Sequence, residues 1–337
     1  MILVTGSTGL LGSHVVCDLV ANGYNVRALF RSESRKKIVV DLIQFYHPET
    51  ASILLSKIEW FQGDILDLIE LEDAMTGCEK VVHCAALVSF HRRDFGRLFA
   101  QNRTGTANVV NTALHIGINQ LIYVSSTAAV GSDTDYHDHI RRETNHWNAN
   151  EKATGYSLSK YSAEKEVWRG IEEGLPAAIV NPSVLFGPGN WDESSLKIMR
   201  TLHNGLSYYT TGGNAFVDVR DVATIIRRLI EQEISGERYL VTGQNLKFKE
   251  LFDQICAQLN VKAPSKQAGP FLVKLAWRLA GIAARFAGKR PTITKESAAS
   301  SMRTTLYSNE KVLAAFPDFQ FTPLEDTIAN TIKGRMH

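Results

Sequence analysis

The chain is short of cysteine, of net charge and of uninterrupted apolar sequence, and each shortage removes a class of function. Four cysteines, Cys17, Cys78, Cys84 and Cys256, occur in 337 residues. They form no CxxC spacing and have no clustered histidines, so neither a disulfide framework nor a metal site is expected, and reduced thiols in a cytoplasmic protein are. Lys and Arg total 37 against 35 Asp and Glu, a net charge of +2. That balance builds no broad basic field, and no nucleic-acid partner is expected. The longest stretch without a charged residue, Thr104–Ser132, is interrupted by Asn108, Asn111, His115, Gly117, Asn119 and Gln120. It reads as a helix followed by a strand, too polar for a membrane span. Met1 leads straight into Ile2–Val4 with no basic leader, which marks nothing for export. No internal repeat or low-complexity tract is present.

Hydrophobic residues make up 44% and charged residues 21% of the chain, the composition of a globular protein, and its length suits roughly two domains. The first half alternates apolar runs with amphipathic stretches. Ile2–Val4, Val26–Phe30, Ile58–Phe61, Val81–Cys84, Leu121–Val124 and Ala177–Val180 read as strands, short and rich in Val, Ile and Leu as in a parallel sheet covered on both faces. Helices are predicted over Leu10–Ala21, Phe95–His115 and Gly155–Glu173. The fold class is therefore α/β, a doubly wound parallel sheet over residues 1–181 followed by a smaller α/β domain over 182–337. A strand near 238–242 returns to the main sheet and interleaves the two. The second domain draws on Ser194–His203, a strand-like Leu206–Thr211, Val222–Gln232 and a helical block from Pro270 to Ala287.

Gly6-Ser7-Thr8-Gly9-Leu10-Leu11-Gly12 follows the first strand and opens the first helix, the setting of a Rossmann dinucleotide loop. Its glycines allow a tight turn, close approach of a pyrophosphate and close helix packing, and the phosphates meet the helix N-terminus. An acidic ribose ligand is expected at the end of the second strand, but Arg31 stands there. A guanidinium could pair with the 2′-phosphate of NADP(H), and Arg35, Lys36 and Lys37 add positive charge. Glu33 leaves NAD(H) open.

Tyr156 and Lys160 lie one helical turn apart on one face. A nearby ammonium stabilises a phenolate, so this pair could exchange protons with a substrate oxygen. Tyr161/Lys165 and Tyr307/Lys311 share the spacing, so the spacing alone does not choose among them.

Together the motifs resemble the extended short-chain dehydrogenase/reductases of the NAD(P)-dependent epimerase/dehydratase superfamily. Matching residues are Gly6, Gly9 and Gly12; Gly63-Asp64-Ile65; Val82-His83-Cys84-Ala85-Ala86; Asn102 ahead of Gly105-Thr106-Ala107-Asn108-Val109; and Val124-Ser125-Ser126-Thr127. They continue through Tyr156 with Ser159, Lys160, Ala163 and Glu164, then Asn181-Pro182-Ser183 and Gly187-Pro188-Gly189. The resemblance selects Tyr156 as general acid/base, with Lys160 tuning it and bonding the nicotinamide ribose. It aligns Thr127 with the hydroxyl that orients the substrate oxygen, Ser126 being the alternative, and Asn102 with a proton relay or a buried structural role. It places Thr8, Leu10 and Leu11 at the phosphate loop, Asp64 and Ile65 near adenine, Ala85 and Ala86 after the fourth strand, and Pro182 and Ser183 at the nicotinamide face.

Three reactions share such a scaffold. Dehydratases of the family carry an Asp-Glu pair where Ala128-Ala129 stand here, and epimerases often carry tyrosine where Gly131 follows Val130. The segments around Arg31, Ser126 and Pro182 look most like the dihydroflavonol-4-reductase-like branch. That resemblance implies NADPH-dependent reduction of a ketone or aldehyde of a small organic substrate. A nucleotide-sugar epimerase with tightly bound NAD and a non-catalytic NADP-binding sensor are the alternatives, and relatives commonly form homodimers. Substrate contacts are expected from Leu87–Arg93 and from the second domain, including Phe186, Trp191 and Phe216. Finally, Phe271, Leu275, Leu279, Ile282 and Phe286 share one helical face and Lys274, Arg278 and Arg285 another. The simpler reading of residues 271–287 is a helix packed on its own domain; a membrane-surface helix or a cover over the substrate are the others.

Overall fold

A computed structural model describes residues 1–132, 138–147, 153–286, 290–291 and 293–336. In chain order its main elements are β1 (Ile2–Thr5), α1 (Leu10–Ala21), β2 (Val26–Phe30), β3 (Ile58–Gln62), β4 (Lys80–His83), α2 (Gly105–Ile116), β5 (Gln120–Val124), α3 (Gly155–Glu172) and β6 (Ala177–Pro182). The second half contributes β7 (Val184–Phe186), β8 (Gly213–Asp218), α4 (Val219–Glu231), β9 (Glu237–Val241), β10 (Gln244–Lys247) and α5 (Pro270–Phe286).

Seven strands form one parallel sheet in the order β9-β6-β5-β4-β1-β2-β3. Alternate residues of each strand feed two different cores. Ile2 and Val4 of β1 join Ile122 and Val124 of β5 beneath α1 and α4, whereas Leu3, Leu121 and Tyr123 pack beneath α2 and α3. Both faces are covered, which is why these strands are apolar at every position rather than at every second one. Chain order reverses between β1 and β4, and that switch point opens a crevice at the carboxyl ends of the strands.

β7, β8 and β10 make a small mixed sheet. Phe186, Trp191 and Phe216 are buried with Leu196, Met199, Leu251 and Ile255 in the core beside it, so these aromatics are structural. Two sequence expectations change. The strand-like Leu206–Thr211 shortens to Tyr208–Tyr209, and the helix over Phe95–His115 contains a π-helical stretch, Phe99–Thr104, ahead of α2. Such a stretch rotates the residues it carries relative to the helix that follows.

The helix expected over residues 271–287 is α5. α5 ends at Phe286, and Ala287 lies outside the described residues. Phe271, Leu272, Leu275, Leu279, Ile282 and Phe286 are all exposed, because the helix faces its own domain with other side chains.

Candidate active site

After β1 the chain turns at Gly6, whose φ is +66°, and the Gly9 N–H donates to the Gly6 carbonyl at 3.0 Å. A Cβ on Gly6 would stand 2.6 Å from the Ala85 nitrogen, and one on Gly12 would overlap the Gly6 carbonyl. Only glycine lets β4, the loop and α1 approach this closely. No side chain caps α1 at Gly9, so its first N–H groups remain available to an anion. Thr8 and Leu11 are buried and Leu11 belongs to the core, which leaves main-chain groups to face a ligand there.

Tyr156, Lys160 and Ser126 converge on the neighbouring part of the crevice. Thr154 starts α3 through a capping box, its hydroxyl accepting from the Ser157 N–H at 3.0 Å and its own N–H donating to the Ser157 hydroxyl at 2.9 Å. This cap fixes the register in which half-buried Tyr156 and buried Lys160 point to the end of β5. Burial pushes the Tyr156 phenol above its ordinary pKa, a shift that the nearby Ser126 hydroxyl partly opposes. Thr127 is buried in the turn that follows. Of the two candidate hydroxyls, Ser126 is the one whose side chain influences the tyrosine.

Lys160 makes no direct hydrogen bond to Tyr156. Its ammonium donates to the Val124 carbonyl at 2.8 Å and lies 4.6 Å from the centre of the Tyr123 ring. Burial pulls its pKa down to about 7, partly opposed by Glu164 and Cys84. The other pairs of equal spacing are engaged elsewhere. Tyr161 stacks on Trp147 with Lys165 over its face, and Lys311 pairs with Glu237.

Asn102 lies on the π-helical stretch and uses its whole amide. It accepts from the Leu87 N–H at 2.7 Å and donates to the Leu87 carbonyl and the Ser159 hydroxyl, both at 2.9 Å. The asparagine thus clamps the loop after β4 to the catalytic helix, a positioning role.

Several contributors had been given no partner by the sequence. Asn181 joins the Ser126 carbonyl, at 2.8 Å, to the buried Glu164 carboxylate, which Arg238 also meets at 3.1 Å. His83 lies between the Thr5 and Thr106 hydroxyls at 2.7 and 3.0 Å, and burial beside Lys160 drops its pKa to about 3, so it is neutral. Arg35 holds Glu193 and the Thr8 carbonyl. These partners lie far apart in the chain, and only the fold assembles them.

The residues fit a dinucleotide. The glycine cradle, the uncapped helix and two buried hydroxyls without partners, Ser125 and Ser183, line one crevice. The Ser183 N–H is already bonded to the Val241 carbonyl, so that residue offers its side chain rather than its amide. At the outer end Arg31 is exposed, 3.6 Å from the Asp64 carboxylate and 3.3 Å from Gln101, while Glu33, Lys36 and Lys37 are engaged in local ion pairs. Ile65 is buried against Gly105, and Asn108 holds its carbonyl at 3.0 Å. Ala86 is exposed beyond β4, and the Ala85 N–H is bonded to Thr5.

Residues 2–242 match the NAD dependent epimerase/dehydratase family. A protein of Synechocystis sp. provisionally named a dihydroflavonol 4-reductase is 30% identical over 320 residues, 92% of this chain and 87% of the relative. Sterol demethylase protein B of Methylococcus capsulatus is 32% identical over 72% of this chain and 70% of its own length. Cinnamoyl-CoA reductase 1 of Oryza sativa is 31% identical over 74% and 73%. The crystal structure of gox2253 superposes with a TM-score of 0.80 at 30% identity, covering 99% of this chain and 97% of the other.

Proposed function

The chain belongs to the NAD dependent epimerase/dehydratase family, as an NAD(P)-dependent oxidoreductase of the extended short-chain dehydrogenase/reductase type. On that premise we propose that it reduces a ketone or aldehyde of a small organic substrate with NADPH. The observation that carries this reading is the convergence of Tyr156, Ser126 and buried Lys160 on the crevice of the glycine loop. With its pKa raised, the phenol is protonated at neutral pH, the form needed to deliver a proton to a carbonyl oxygen.

The dinucleotide would be held by the Gly6, Thr8, Gly9, Leu10, Leu11 and Gly12 loop, by Arg31, Asp64 and Ile65 toward adenosine, and by Ala85, Ala86, Lys160, Pro182 and Ser183 toward the nicotinamide, which supplies hydride when bound. Tyr156 gives its proton to the substrate oxygen. Ser126, held by Asn181, orients that oxygen, and the clamp from Asn102 to Leu87 positions the loop that carries Phe90, whose ring lies 6.0 Å from Tyr156. Arg31 supports NADPH over NADH because its guanidinium is exposed at the adenosine end.

The reductase names of two relatives and the alanines at 128 and 129 support reduction over sugar dehydration. The test is NADPH oxidation across a panel of ketones and aldehydes, beside epimerisation of UDP-sugars with NAD. Turnover of carbonyls is expected. NADPH binding without oxidation throughout the panel, or epimerisation alone, would overturn the reading.

A further inference from the structure

The outer face of α5 is built the wrong way round for water. At about 100° per residue, Phe271, Ile282, Leu275, Phe286 and Leu279 fall on one arc roughly 80° wide. They are 80, 54, 41, 89 and 55% exposed. The helix seats on the protein through buried Ala284 and half-buried Val273, Ala276, Trp277 and Ala280. Apart from Trp277, the inward side chains are thus small or medium-sized, and the large apolar ones face outward. Among the described residues, six of sixteen exposed large hydrophobic side chains lie on this one helix. A solvent-facing helix shows the reverse pattern, and a concentrated apolar patch marks an interaction surface.

Charge identifies what that surface meets. Lys274, Arg278 and Arg285 are exposed and border the apolar arc along one side. From residue 254 to 295 the sequence carries eight Lys and Arg and no Asp or Glu, +8 in a chain of net +2, leaving −6 for everything else. A second copy pairing through the same face would bring Lys274, Arg278 and Arg285 toward their own equivalents, which opposes self-association. No helix among the described residues is long and apolar enough to cross a membrane, so α5 is suited to lie on one.

The position of the helix fits as well. Just beyond α5, Arg290 pairs with Asp94 at 2.9 Å, and Glu296 accepts from the Gly155 N–H at the start of the catalytic helix at 3.4 Å. Val88, Phe90 and Phe95, on the loop and turn at the same mouth, are 47, 38 and 48% exposed. We propose that α5 is an interfacial anchor that docks this protein on an anionic lipid bilayer beside the mouth of its active site. The docking stands whichever reaction the site performs.

The test is flotation of the full chain with vesicles of phosphatidylcholine alone and with added phosphatidylglycerol, at low and high salt. Binding is expected only to the anionic vesicles, weakened by salt, with hydrogen exchange slowed over 270–286. Two exposed-face variants, L275S/L279S/I282S and K274E/R278E/R285E, should each cut binding about tenfold or more while leaving NADPH affinity unchanged. Binding that leaves 270–286 unprotected overturns the proposal, as does no binding. In the latter case light scattering tells a bare monomer from a dimer that the serine variant dissociates.

Discussion

Arg35 and Glu193, 158 residues apart, are joined by a pair of 2.8 Å hydrogen bonds, and the same guanidinium reaches the Thr8 carbonyl at 3.1 Å. The turn proposed to receive a pyrophosphate is thereby braced from the second half of the chain. Arg35→Ala should raise the dinucleotide Kd about three- to tenfold, as expected for losing a charge-assisted bond at the loop. Because both side chains are partly exposed, the stability cost should stay under about 1 kcal/mol. Calorimetric titration and thermal melts check this, and an unchanged Kd would sink it.

Tyr156→Phe removes the proton donor but keeps the ring. Turnover should fall about 10²- to 10⁴-fold, with cofactor affinity unchanged within about twofold by fluorescence titration. Ser126→Ala should cost about tenfold or more in kcat and Thr127→Val far less, because Ser126 is the hydroxyl that influences the Tyr156 phenol. The reverse order would return the orienting role to Thr127.

Arg31 has only a 3.6 Å ion pair and a 3.3 Å hydrogen bond to give up before meeting a phosphate. Arg31→Ala should weaken NADPH about tenfold or more and leave NADH nearly unaffected. Equal losses for both would remove the argument for NADP.

Lys160 supplies a pH prediction. Its folded pKa, about 7 through burial, lies below an unfolded value near 10.4. The unfolded chain therefore binds more protons between those values, and stability rises with pH across that window. The cost of the buried lysine is full below about pH 7 and is relieved toward about pH 10. Melts of the unliganded protein should show Lys160→Met stabilising most at pH 6, with the gain shrinking by pH 9. A gain independent of pH would show that Lys160 keeps its ordinary pKa when folded.

Apolar periodicity made much of this fold legible. The strands over Val26–Phe30 and Leu121–Val124 and the helix over Leu10–Ala21 follow from the local need to bury both faces of a parallel sheet. The glycine loop was legible for the same reason, since its geometry is local and no other residue allows it. The choice of Ser126 over Thr127 as the hydroxyl that influences Tyr156 was not, because neighbouring hydroxyls differ only in the direction the strand end gives them. Nor was the engagement of the Lys160 ammonium, which depends on the Val124 carbonyl and the Tyr123 ring waiting on another element. For α5, sequence by itself established two faces. Which face turns outward was decided by the tertiary structure, because burial depends on what the rest of the chain sets against a helix.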